Sequence, residues 1–194
     1  MGEKGFERDA LGNILTKSQS LYFKNSKLRD PNGHLLVFYH GDKHNDKVYF
    51  NCERGPVYFS EIFAYADDYA EDENGIRGLT YSVYLDMQNP LRQLTSECKE
   101  YLERTGIAKD KKVDLKIGDP ISTFMIDDHD MNYRFYEWLK QNTNYDGILV
   151  SEGLTATHRS KYGEKADIAL IPFNSYQIKF ISNKNPTHSL NSDQ

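Results

Sequence analysis

Apolar positions along this chain recur with two periods, and the switches between them lay out its elements. The run Leu35 to Gly41, LLVFYHG, is a continuous apolar stretch of strand type that delivers His40 to a glycine, where the backbone can come close to a ligand. Upstream, Thr16-Lys17-Ser18-Gln19 has capping-box form ahead of Leu21, Tyr22 and Phe23 and predicts a short helix. Asp30-Pro31-Asn32-Gly33 is turn chemistry leading into the strand. After it come a polar loop at Lys43 to Lys47, a short strand at Val48 to Asn51, a turn at Arg54-Gly55-Pro56 and the segment Val57-Tyr58-Phe59-Ser60. Ile62, Tyr65, Ala66 and Tyr69 then fall at helical spacing, which predicts an amphipathic helix over Glu61 to Asp72.

The clearest alternation is Leu79, Tyr81, Val83, Leu85 and Met87, a half-buried strand closed by Asn89-Pro90-Leu91. Leu94 to Arg104 reads as a second helix, and Gly106 to His129 as an irregular surface connection. Phe135, Trp138 and Leu139 share a helical face within Met131 to Gln141. Ile148-Leu149-Val150 is a strand, Ser151 to Lys165 a polar loop, and Asp167 to Phe173 and Tyr176 to Ser182 a closing hairpin around Asn174-Ser175. The organisation expected is α+β, with a flexible leader at residues 1–13, a domain at 14–182 and a flexible tail at 183–194.

Composition narrows this picture rather than changing it. At 194 residues, 38% hydrophobic and 27% charged, the chain has the size and balance of one soluble domain. No apolar run approaches the roughly 20 residues of a membrane span, and the polar start has no signal-peptide core, so no membrane partner and cytoplasmic action are expected. Cys52 and Cys98, far apart and without metal-ligand spacing, fit a reducing compartment. A net charge of −5 disfavours a broad nucleic-acid surface. His40 and His44 lie at i, i+4 in a strand and loop with no clustered third ligand, so no metal site is expected. Asp67, Asp68, Glu71, Asp72 and Glu73 read as a solvated acidic face. By themselves His40 reads first as a satisfied strand-end histidine and Tyr69 as a packing residue on the apolar face of its helix.

Several pieces together are more specific. Tyr39-His40-Gly41 is followed by Val57-Tyr58-Phe59-Ser60, then by Tyr69 eleven residues after Tyr58, then by Tyr176-Gln177-Ile178-Lys179. With the flanks SKLRDPNGHLLVFYHG, VYFSEIFAYADDYA, YSVYLDMQNPL, YDGILV and PFNSYQIKFISNKN, this order resembles the ADP-ribosyltransferase domains of the diphtheria-toxin and poly(ADP-ribose) polymerase type found in phage, prophage and mobile-element proteins. The resemblance runs from about Ser18 to Asn185 and implies a split antiparallel β-sheet with flanking helices. It implies NAD as substrate and a macromolecular acceptor, protein or nucleic acid. On this resemblance His40 matches the histidine that holds the adenosine-side ribose, Gly41 the glycine whose backbone holds the nicotinamide carboxamide, and Tyr69 the tyrosine stacked on nicotinamide. Tyr58 and Phe59 form the opposite wall, and Tyr39 and Ser60 complete the NAD-binding set.

The family's catalytic glutamate position, about eight residues before Gln177, is Ala169 here. Asp167, two residues earlier and on the same strand face, is the first substitute, with Glu164 and Glu152 as further candidates and Gln177 as a substrate-orienting or structural residue. Asp42 stands where a small hydroxyl residue is usual. The catalytic set implied is therefore His40, Tyr69 and Asp167. Two other readings are a noncatalytic member binding NAD or a partner, and a small phage-type nuclease using His40 with His158, Arg159 and Lys161.

Overall fold

A computed structural model describes residues 7–44, 49–110, 112–126 and 134–188. Helix α1 (Lys17–Tyr22) starts at Thr16, whose side chain accepts from the Gln19 N–H while the Gln19 side chain accepts from Thr16, the reciprocal cap that the sequence announces. Strand β1 (Phe38–Asp42) leads to β2 (Phe59–Ser60), α2 (Phe63–Asp68) and β3 (Leu79–Leu85). Next come β4 (Pro90–Leu91), α3 (Ser96–Thr105), α4 (Ile107–Asp110), β5 (Ile121–Ser122) and α5 (Arg134–Asn142). The chain closes with β6 (Gly147–Ser151), α6 (Ala156–Tyr162), β7 (Ile168–Pro172) and β8 (Ile178–Phe180).

The strands form one curled sheet in the order β4-β6-β7-β2-β1-β3-β8, with β5 beside the other end of β6. The main ladders are antiparallel, as an α+β sheet of this class requires; the short contacts β4–β6 and β5–β6 are parallel. One core cluster lies between β6–β7 and α3–α5, and includes Leu102, Phe135, Leu139, Ile148, Val150 and Ile171. A second, with Phe38, Phe59, Val83, Leu85 and Leu170, fills the other face. A third, with Phe23, Leu35, Val37 and Tyr84, sits under α1. Strand β3 is buried on both faces at its C-terminal half, since Tyr84 is as buried as Val83 and Leu85.

Tertiary packing changes several local expectations. Strands β7 and β8 are not a hairpin: β7 pairs with β2 and β6, whereas β8 pairs with β3 at the far edge. The run Ile168–Pro172 is apolar on both faces, which demands an interior strand. The segment between them crosses over through Gln177, whose side-chain N–H groups donate to the carbonyls of Asp86 and Asp146 while its oxygen accepts from the Asn174 N–H. Tyr49 to Asn51 is not a strand, because Phe50 inserts its ring between Phe59, Phe180 and His40; Val48 lies outside the described residues. The expected polar loop Ser151 to Lys165 contains α6, capped by Thr155. The expected irregular connection after Gly106 contributes buried Ile107, Leu115, Ile121 and Ile126, and residues 127–129 lie outside the described residues.

The described part of the leader is not loose. Asp9, 1% exposed, accepts hydrogen bonds from the Tyr84 hydroxyl and from the backbone of Leu11 and Asn13. The described part of the tail docks as well: Gln19 donates to the Asn183 carbonyl, Thr16 to the Lys184 carbonyl, and the His188 ring lies 5.0 Å from that of Tyr22. Residues 1–6 and 189–194 lie outside the described residues. Among the described residues, no helix is long and apolar enough to cross a membrane.

Candidate active site

Strands β1 and β2 pair at a single register, Tyr39 opposite Ser60, and the sheet splits beside that point. Helix α2 closes against β1 so tightly that a Cβ at Gly41 would stand 1.9 Å from the Ala66 carbonyl oxygen. Gly41 is therefore required by the approach of the helix, whatever its backbone does for a ligand. The split leaves a cleft of about 440 Å³, within the range of small-molecule sites. Tyr39, His40, Gly41, Tyr58, Phe59, Ser60 and Tyr69 all line it, and Tyr65, Ala66, Thr123, Glu152 and Ala169 complete the walls.

His40 lines the cleft with its Nδ1–H donating to the Tyr58 carbonyl oxygen at 2.8 Å. A carbonyl only accepts, so Nδ1 carries a hydrogen. Phe59 and Phe50 pack around the imidazole at 5.5 and 5.2 Å between ring centroids. Phe59 is 1% exposed and acts chiefly as core, while Tyr58 is half-buried beside the first cluster. Ser60 Oγ accepts from the Ile62 N–H at 3.0 Å and so holds the turn into α2. Tyr69, the C-cap of α2, presents a largely exposed ring at the cleft.

The acid in the cleft is Glu152, one residue beyond β6. The buried Tyr65 donates its hydroxyl to Glu152 Oε2, and the Tyr69 hydroxyl lies 2.9 Å from that of Tyr65. Burial pushes the Glu152 carboxyl above its ordinary range and the nearby Asp167 adds to this, while the Tyr65 hydrogen bond opposes them. Burial raises both tyrosines as well, Tyr65 further because it donates to Glu152.

The structure does not bring Asp167 into the cleft lining. Its carboxylate accepts from Ser151 Oγ at 2.9 Å and from the Leu154 N–H at 2.7 Å, with Arg159 at 3.6 Å, and its carbonyl accepts from the Glu152 N–H. Asp167 therefore shapes the turn that presents Glu152. Ala169, paired with Ser60 on one side and Val150 on the other, forms the floor. Glu164 is exposed and lies near Arg159, and Gln177 is spent on the β7–β8 crossover. Asp42 does not line the cleft and accepts from the His44 N–H.

Spacing along β7 points to Asp167 before Glu152, which lies on a different strand end. The pairing of Ser151 with Ile168 brings the two within reach. Nor do the charged segments stay free: Asp67 and Glu71 bind Arg77, and Asp68 receives Lys161 and the Tyr162 hydroxyl. Among the described residues, no group of three His, Cys, Asp or Glu side chains is arranged to hold a metal ion.

The profile of a protein family described as ADP-ribosyltransferase in polyvalent proteins matches residues 30–188, most of the chain. No curated protein and no solved structure matches it.

Proposed function

The chain belongs to this family of ADP-ribosyltransferases in polyvalent proteins, and from that premise we propose that it transfers ADP-ribose from NAD to a macromolecular acceptor through the cleft joining His40 to Glu152. The observation that carries the reading is convergence. Seven residues expected from the resemblance to contact NAD, drawn from three separate segments, line one cleft together with a half-buried carboxylate.

NAD would lie along the split between β1 and β2. His40, oriented by the Tyr58 carbonyl, is placed to hold a ribose hydroxyl, and the Tyr69 ring is available to cover the nicotinamide. As nicotinamide leaves, the C1′–N bond electrons pass to the ring nitrogen and positive charge develops on the ribose, which the Glu152 carboxylate stabilises. The acceptor's electron pair then forms the new bond to C1′, and its proton passes to Glu152. Action in the cytoplasm of a bacterial or phage-infected cell accords with two unpaired, buried thiols.

A second reading, NAD binding without transfer, is favoured by Ala169 in the place of the family's acid. The nuclease reading loses its basic loop, since Arg159 and Lys161 face Asp167 and Asp68. The deciding experiment incubates the purified protein with cell extract and NAD labelled on its adenine side, following label transfer and free nicotinamide. Transfer is expected from the wild type, with lower NAD affinity in His40→Ala and binding without transfer in Glu152→Gln. NAD binding with neither transfer nor nicotinamide release would establish the second reading. Absence of NAD binding would overturn both.

A further inference from the structure

We propose that Tyr65 is a positioning residue for Glu152, its hydroxyl aiming the carboxylate into the cleft and holding it ionised until an acceptor proton arrives. The inference deepens the NAD reading and rests on it for the identity of that proton.

The cleft lining contains no lysine or arginine among the described residues, so its one carboxylate has no cation beside it there. Ionised, it depends on hydroxyl donors. Tyr65 is 5% exposed and its ring is wedged edge-on between Tyr69 and Tyr162, each 5.3 Å away between centroids. That packing points its hydroxyl at Glu152 Oε2. An ionised carboxylate only accepts, so the single Tyr65 hydrogen is spent on it. The Tyr69 hydroxyl, 2.9 Å from that of Tyr65, also hydrogen-bonds Glu152 and favours its ionised form to a smaller degree. The exposed ring expected to cover nicotinamide is thus tied to the acid both directly and through the buried Tyr65.

The groups facing Glu152 come from four directions. Tyr65 and Tyr69 belong to α2 and its cap, and Asp167 comes from the turn before β7 with Arg159 of α6 behind it. Tyr162 of α6 reaches it only through the Tyr65 ring, and His40 and Tyr58 lie in the same cleft lining. Burial and Asp167 favour the protonated acid, and Tyr65 is the largest influence opposing them.

The test is Tyr65→Phe in the full chain, which keeps both ring contacts and deletes only the hydroxyl. The Glu152 carboxyl carbon is titrated by NMR without NAD, with Glu152→Gln identifying its signal, and nicotinamide release is measured from about pH 5 to about pH 9. We expect the Glu152 titration and the acid limb of turnover to move to higher pH. Release near pH 6 should fall about tenfold and recover towards wild type near pH 9, with KM for NAD unchanged. A Glu152 titration identical in both proteins would overturn the inference, as would a loss of release that is uniform across pH. Should the wild type release no nicotinamide, the transfer reading falls, and the carboxyl titration alone still decides whether Tyr65 holds Glu152 ionised.

Discussion

Gly41→Ala tests the joint on which the cleft depends. The added Cβ would stand 1.9 Å from the Ala66 carbonyl oxygen and 2.8 Å from the Ala70 nitrogen, both backbone atoms that no rotamer change can remove. To restore even a tight contact of 3.0 Å, α2 must withdraw from β1 by about an ångström. That motion would loosen buried Tyr65 and Ala66 from their seats and carry Tyr69 away from His40. Forced overpacking of this kind costs about 3 kcal/mol, the upper part of the usual range. For a domain of this size that corresponds to a fall in Tm of roughly 6 to 12 °C. Thermal unfolding followed by circular dichroism measures the stability, and isothermal titration with NAD measures the cleft. A Tm within about 2 °C of wild type with unchanged NAD affinity would show that α2 does not bear on β1 as described.

Three further outcomes follow from the same geometry. Asp167→Asn should retain NAD binding and lose turnover only in part. It should move the acid limb to lower pH, because the like charge that raises Glu152 is gone; complete loss at every pH would return the acid role to Asp167. Asp86 is 4% exposed with Oδ1 unpartnered, and burial, with Asp146 nearby, raises its carboxyl above 3.8. A raised folded-state value means that the stability contributed below the ordinary carboxylate range is lost as pH rises through that value. Asp86→Asn should therefore have a higher urea midpoint than wild type at neutral pH and an equal one near pH 3, and a lower midpoint at neutral pH would contradict this. Burial pushes the Cys52 thiol up to about 11 and raises Cys98 as well. Neither should react with a disulfide reagent near pH 8 until denaturant is added, and a rapid native reaction would place a thiol at the surface.

Much of the local structure was legible along the chain. The Thr16–Gln19 cap, the Asp30–Gly33 turn and the alternation through β3 involve neighbours within a few residues, so sequence order and spatial order coincide. The seven cleft residues became legible through the family resemblance, which reads several segments at once. Asp9 escaped, because its partner Tyr84 lies 75 positions away and nothing in a polar leader announces it. The β7–β8 hairpin misled for the opposite reason: two strands adjacent in the chain are separated in the sheet by β2, β1 and β3.

By itself, then, the sequence determined the short-range elements, the α+β class and the family. The tertiary structure decided which carboxylate reaches the cleft. Period-2 and period-3.6 patterns state which face of an element is apolar, and are silent on which element lies against it. Pairing of Ser151 with Ile168 sets Glu152 beside the cleft and draws Asp167 into the turn beneath it. Packing of α2 on Gly41 then brings Tyr65 and Tyr69 onto that acid, a juxtaposition across 87 residues between Tyr65 and Glu152 that only the folded sheet creates.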